Sequence, residues 1–243
     1  MAGNSDGPAP RFGSCYFLLE PAVNARATFC YGDSHTAPTS WATQESLEVV
    51  LSELMLESFT RDSAIGIHPI RPPALVERIH TVLDGGGVEN CWCFPPARNL
   101  DHYIEAQIHG AIQLGRDASA LVACRSFRNH GEIGRQLELL ASRYGLQLHW
   151  HEGSSLEVDR VPSDFRGPLM PGLARRIAGG GSLLTPPMIG DAARRAAEAS
   201  EEEFAGFGGN DTKQVLQNLK LLWHCLLRYG SAIDTCAGSG PRP

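Results

Sequence analysis

One eight-residue segment, from Tyr103 to Gly110, carries the densest set of reactive side chains in this sequence. Its alternation predicts a β-strand with one polar face and one apolar face. The polar face consists of Tyr103, Glu105, Gln107 and His109. A carboxylate fixed on a strand can stabilise an oxocarbenium-like transition state or act as a general base. Glu105 is therefore the candidate catalytic residue and Gln107 a candidate substrate ligand, unless Glu105 is simply solvated or paired with an arginine.

Two histidines form a second candidate. His149 and His151 flank Trp150 and would share one face of another strand, a spacing that can chelate a metal. A conceivable zinc set adds Cys91, Cys93, His102 and His109. The one-residue spacing of the cysteines is not the usual structural-zinc clip, so we predict no metal site. His151 remains a candidate substrate-binding residue.

Two loops add further candidates. In the segment Asp164-Phe165-Arg166-Gly167-Pro168, Arg166 either clamps a phosphate or carboxylate or braces the loop. A predicted strand runs into Gly32-Asp33-Ser34, which resembles the first block of the SGNH hydrolases, and residues 208–211 resemble a later block. That resemblance implies an esterase with Ser34 as nucleophile. The Asp-x-x-His that should supply the base is missing, and a serine without a positioned base is a poor nucleophile.

The surrounding pattern predicts an α+β fold with a mostly antiparallel sheet, flanking helices and a helical C-terminal part. Strands are predicted at 15–19, 26–31, 103–110, 118–124 and 146–150. The first two are expected to be antiparallel neighbours, and residues 156–158 a possible partner of the last. Helices are predicted to begin near Thr43 and after Pro73, and a third from Asn129 to Gly145. Only helices and loops are predicted after Pro162, and Asp211 is expected to cap the last of these helices. We expect a disordered leader at 1–10, a single domain at 11–230 that is strand-rich to residue 160, and a disordered tail at 231–243.

Composition narrows the classes of protein. The chain has 243 residues and a net charge of −6, which argues against an obligatory nucleic-acid partner. No signal-peptide pattern and no apolar run of membrane-spanning length is visible, so a cytoplasmic protein is expected. Cys15, Cys30, Cys124 and Cys225 fall in apolar patterns, which predicts reduced, buried thiols.

Five motifs occur in order: RFGSC at 11–15, TFCYGDS at 28–34, YIEAQIHG at 103–110, WHEG at 150–153 and DFRGP at 164–168. Together, from about Arg11 to Tyr229, they resemble a bacterial family of domains of unknown function. Its members are distantly similar to ADP-ribosyltransferases, in which a strand glutamate stabilises the oxocarbenium ion as nicotinamide leaves NAD. This resemblance implies that Glu105 is catalytic and that NAD is the substrate. It places Gln107, Arg166, His151 and Ser14 around the site and leaves the acceptor open.

Members of that family usually carry a further N-terminal segment. It holds a His-Pro-Asp-Arg motif and a Gly/Ser/Thr-rich strand similar to the elements that hold NAD. We therefore expect this chain to be N-terminally truncated and to lack part of the cleft. The alternative from another class of function is a non-catalytic binding or structural module.

Overall fold

The structure is a computed structural model that describes residues 10–60, 73, 76–77, 80, 100, 103–198 and 201–232. The predicted α+β class is confirmed, because small and mostly antiparallel sheets combine with helices. The chain forms two compact units, Met1–His151 and Glu152–Pro243. Most of the predicted leader and tail, most of the helix after Pro73, and the Cys91–Cys93 pair lie outside the described residues. In the part of the chain described, no helix is long and apolar enough to cross a membrane.

The first sheet of unit 1 has the strand order β1-β4-β5, with bounds Tyr16–Leu19, Ala118–Cys124 and Gln147–His151. Strand β1 is antiparallel to β4, whereas β5 is parallel to it. Five consecutive residues of β4, from Ala120 to Cys124, are buried, which explains its nearly continuous apolar sequence. A parallel pair requires a crossover, and helix α3, Gly131–Tyr144, supplies it and ends at Gly145 as predicted.

The second sheet of unit 1 pairs β2, Ala27–Tyr31, with β3, Ile104–Ile108, in antiparallel register. Helix α1, Glu48–Thr60, packs against β2 and buries Val50 and Leu54. A 3-10 turn at Gln44–Ser46 leads into this helix from the predicted cap at Thr43. A short helix α2, Leu114–Asp117, precedes β4.

The predicted pairing of β1 with β2 is wrong, because the two strands belong to different sheets. The segment between them, Pro21–Arg26, is a 3-10 helix of six residues rather than a tight hairpin turn. The backbone N–H of Glu20 donates to the Asp117 carbonyl at 2.8 Å, so β1 stays with β4 while the chain moves on to a new sheet.

Unit 2 is built around a long C-terminal helix. Its sheet has β6, Ser154–Glu157, between β7, Leu183–Leu184, and β8, Ser231–Ala232. Strand β6 therefore does not pair with β5 as predicted, and β8 uses the first residues of the predicted tail. The helices are α4 Met170–Ala178, α5 Pro186–Glu198, α6 Glu201–Gly206 and α7 Thr212–Tyr229. The apolar face of α7 packs on α4 and α5, and the predicted Asp211 cap is confirmed by its bond from the Gln214 N–H at 2.7 Å.

The described cysteines are all free thiols. Cys30, Cys124 and Cys225 are buried, as expected from their apolar surroundings. Cys15 is exposed, which corrects the prediction for that residue, because it precedes β1 rather than lying within it.

Candidate functional site

Glu105 lies on β3, opposite Cys30 of β2, and its side chain is half-buried. Its Oε1 accepts a hydrogen bond of 2.5 Å from the Ser34 hydroxyl, and its Oε2 accepts one of 3.0 Å from the Ser34 backbone N–H. Among the described residues these are its only hydrogen bonds, and no arginine pairs with it. One residue therefore fixes both oxygens of this carboxylate.

The motif Gly32-Asp33-Ser34 forms the turn that presents Ser34 to Glu105. Gly32 has a φ of 85°, a backbone conformation that side chains disfavour, and its N–H donates to the Tyr103 carbonyl at 2.7 Å. Asp33 caps the 3-10 turn Ser34–Thr36 by accepting from the His35 N–H at 2.9 Å. The glycine thus turns the chain out of β2, the aspartate closes the turn, and the serine reaches the carboxylate.

Tyr103 is buried at the start of β3, with its ring edge-on to Phe12 at 6.2 Å. Burial and the Asp33 and Glu105 carboxylates raise the pKa of Tyr103 to about 12, although Arg11 opposes the shift. The Tyr103 hydroxyl lies beside Asp33 but outside the geometry of a normal hydrogen bond. The phenol therefore stays protonated at neutral pH.

Arg11 adds a cation to this region, and its guanidinium lies 5.3 Å from the centre of the Phe12 ring. Cys30 lies on β2 directly opposite Glu105, and burial, followed by the carboxylates of Glu105 and Asp33, raises the pKa of its thiol. A buried, protonated thiol is inert, so Cys30 packs as a small apolar residue. We call Arg11, Asp33, Ser34, Tyr103 and Glu105 the Glu105 cluster.

Of the residues in the Glu105 cluster, the sequence alone predicted a role at this site only for Glu105. Ser34 was singled out as an esterase nucleophile, whereas Arg11, Asp33 and Tyr103 were not proposed as site residues. The available signal was the motif pattern, because these residues fall in the first three of the five motifs. In the esterase hypothesis Ser34 needs a histidine, yet among the described residues its hydroxyl donates to Glu105.

Gln107 is exposed and lies two residues beyond Glu105 on the same face of β3, opposite Thr28. His109 follows the strand, and its Nε2 lies 3.1 Å from the Thr28 hydroxyl. That contact makes His109 a neighbour of Thr28. The substrate-binding role of Gln107 stays a prediction.

The structure brings His151 and Ser14 together. Both are buried, and His151 Nε2 donates to the Ser14 carbonyl at 2.8 Å. Since a carbonyl only accepts, this contact requires the proton on Nε2. The bond ties the end of β5 to the segment before β1, and the hydrogen bonds of Glu105 reach neither residue. Their contact with substrate stays a prediction.

Arg166 belongs to unit 2, in a loop held by aromatic contacts. It has a φ of 63°, and its guanidinium lies 4.9 Å from the Phe165 ring centre. Phe165 also meets Tyr229 edge-on at 5.4 Å and lies 5.2 Å from the Arg228 guanidinium. These contacts give the loop a fixed shape, and anion binding by Arg166 stays a prediction.

The other residues of the conceivable zinc set have local partners or lie outside the described residues. His149 Nε2 is 3.2 Å from Gln147 Oε1. Among the described residues, no group of three histidine, cysteine or carboxylate side chains is arranged to hold a metal ion.

A protein-family model described as "Protein of unknown function (DUF3626)" matches residues 1–229. The match spans all five motifs and extends over the segment ahead of Arg11. No curated protein and no solved structure matches the chain.

Proposed function

We propose a function for this chain from its family and its site, since the chain belongs to the family described as Protein of unknown function (DUF3626). The proposed activity is that of an ADP-ribosyltransferase-like protein, with NAD as substrate and Glu105 as the catalytic residue. The observation that carries this proposal is the pair of hydrogen bonds from Ser34 to Glu105.

In such a transfer, the bond between nicotinamide nitrogen and the ribose anomeric carbon breaks, and its electron pair leaves with nicotinamide. Positive charge develops on the ribose, and a carboxylate beside it stabilises that charge. Donors that hold the carboxylate in place before the reaction lower the reorganisation needed in the transition state. The acceptor then attacks the anomeric carbon and releases its proton to a base or to solvent.

The remaining Glu105 cluster supplies groups that suit a dinucleotide. Arg11 is the cation that we assign to the diphosphate, since guanidinium groups bind phosphate oxygens bidentately. Tyr103 is buried and stays protonated at neutral pH, so it adds no charge to the cluster. We retain Gln107 for a ribose hydroxyl, and Arg166, His151 and Ser14 as further substrate-binding candidates.

A non-catalytic binding or structural module is the second candidate. The same two hydrogen bonds favour it, because they join the turn after β2 to β3 and so brace the second sheet. In that case replacement of Glu105 weakens the fold and changes no chemistry.

The test is incubation with NAD and measurement of released nicotinamide by chromatography. We expect Glu105→Gln to reduce release by about 100-fold or more, and Ser34→Ala by about 10-fold, because transition-state charge is lost or mispositioned. Glu138→Gln, at an exposed glutamate of α3, is the matched control and should leave release unchanged. Equal nicotinamide release from Glu105→Gln and wild type would refute the assignment. Hydrolysis of a p-nitrophenyl ester that is abolished by Ser34→Ala would support the esterase instead.

A further inference from the structure

Unit 2 contains a small cavity among α4, α5 and α6, with a volume of about 250 Å³. It is lined by Arg176, Arg195, Glu203 and Phe207. Phe207 is buried, whereas the three charged residues are exposed, so an apolar ring lies inside and the charges lie at the opening. The cavity is smaller than the roughly 300–1,000 Å³ of drug-sized sites, so it has room only for a small molecule.

Each cavity arginine follows another arginine in the sequence, and the two members of each pair have different surroundings. Arg175 lies 3.8 Å from Asp159, and Arg194 lies 3.6 Å from Asp191. In the described part of the chain, neither Arg176 nor Arg195 forms an ion pair. In each pair, therefore, the arginine outside the cavity lining has an aspartate within 4 Å, whereas the cavity arginine forms no such ion pair in the described part of the chain.

The position of Arg176 is set by two contacts. Its guanidinium lies 5.1 Å from the centre of the Phe207 ring, in a cation–π arrangement. It also lies directly on the backbone of Gly206, where a Cβ atom would come within 2.2 Å of the Arg176 Cζ. Gly206 therefore provides the space in which this guanidinium sits.

We propose that this cavity binds a small phosphorylated metabolite. Its phosphoryl group accepts hydrogen bonds from Arg176 and Arg195, whose planar guanidinium groups match phosphate oxygens. A hydroxyl or amino group of the same molecule donates to Glu203. The site lies wholly within unit 2 and does not rest on the proposed function, so nicotinamide release and binding at this cavity succeed or fail separately.

Isothermal titration of the full chain with glycerol phosphate, at fixed ionic strength in chloride, tests this site. We expect saturable binding, weaker binding of inorganic phosphate, and none of glycerol. Arg176→Gln and Arg195→Gln should each weaken glycerol phosphate binding by about 10-fold or more, since a hydrogen bond between charged groups is lost. Arg175→Gln and Arg194→Gln remove the same charge next to the cavity and should change the affinity less than 2-fold, or about 0.4 kcal/mol.

Gly206→Ala is the second variant, because it displaces the Arg176 guanidinium and leaves every charge in place. It should weaken binding about as much as Arg176→Gln, while circular dichroism stays that of the wild type. Equal losses in Arg175→Gln and Arg176→Gln would show diffuse surface charge and overturn the proposal. The absence of saturable binding of glycerol phosphate would overturn it as well.

Discussion

Replacement of Ser34 by alanine is the sharpest test of the Glu105 geometry. The lost contact is an O–H donor 2.5 Å from a carboxylate oxygen, a distance in the charge-assisted range. Hydrogen bonds to charged groups contribute about 1.5–3 kcal/mol. Because Glu105 is half-buried and keeps the bond from the Ser34 backbone N–H, we expect a loss near the lower end, about 1.5 kcal/mol.

The assay is a double-mutant cycle of Ser34→Ala and Glu105→Gln, measured by urea denaturation. A chain with two compact units need not unfold in one step, so hydrogen–deuterium exchange of peptides from β2 and β3 provides the local stability. Ser52→Ala is the matched control, since its hydroxyl donates to the Val49 carbonyl within α1 and is exposed. That variant should stay within about 0.5 kcal/mol of wild type.

The expected coupling free energy between Ser34 and Glu105 is about 1–2 kcal/mol, the range found for residues in direct contact. Additive effects, with a coupling free energy below about 0.3 kcal/mol, would refute the inference that Ser34 holds the Glu105 carboxylate in place. They would also remove the observation on which the proposed activity depends, whatever the nicotinamide assay gives.

Three further predictions concern unit 1. Tyr103→Phe should change neutral-pH stability by less than about 1 kcal/mol. The pKa of Tyr103 is raised from 10.0 to about 12 in the folded state, so between pH 10 and 12 the phenol ionises more readily in the unfolded chain. The wild type should therefore lose stability over this range. Urea denaturation at a series of alkaline pH values should show a smaller loss for Tyr103→Phe. Hydrogen bonds from Arg116 and the Gln113 N–H lower the pKa of Asp117. The ionised carboxylate therefore stabilises the folded state above the ordinary pKa of aspartate, and this stabilisation is lost as the pH falls below about 4. Asp117→Asn should reduce this loss of stability in an acid titration followed by circular dichroism. Gly134→Ala places a Cβ 2.7 Å from a backbone carbonyl oxygen, so the free energy of unfolding in urea should fall by about 1–3 kcal/mol. Gly115→Ala is the control, because its Cβ would lie 3.7 Å from the nearest atom and should leave the free energy of unfolding unchanged.

Local sequence patterns predicted most of the elements because caps and periodicity act within a few residues. The end of α3 at Gly145, the Asp211 cap of α7 and the start of α1 beyond Thr43 were all predicted. Strand pairing was not, since β1 joins a strand about 100 residues away and nothing in the intervening sequence encodes that distance. The predicted hairpin is wrong because it requires a turn around Pro21 to Asn24, and these residues belong to the six-residue 3-10 helix Pro21–Arg26.

The site shows the same limit. Alternation selected Glu105 as a residue of interest, but its partner Ser34 lies 71 residues away. Sequence analysis gave each residue a separate hypothesis, one as a transferase glutamate and the other as an esterase serine. Only the antiparallel register of β2 and β3, which places the turn after β2 next to the start of β3, shows that the two residues are in contact.

The five motifs differ in the contacts that their residues make. His151 contacts the Ser14 carbonyl and Arg166 contacts the aromatic ring of Phe165, and the contact of either residue with a ligand stays a prediction. Glu105 differs, because its carboxylate is held at both oxygens and is still half-exposed beside a protonated phenol and a cation. A carboxylate that is fixed but not buried is accessible to a ligand. Substitution of Glu105 can therefore be measured for its effect on the proposed activity and, separately, for its effect on the stability of the fold.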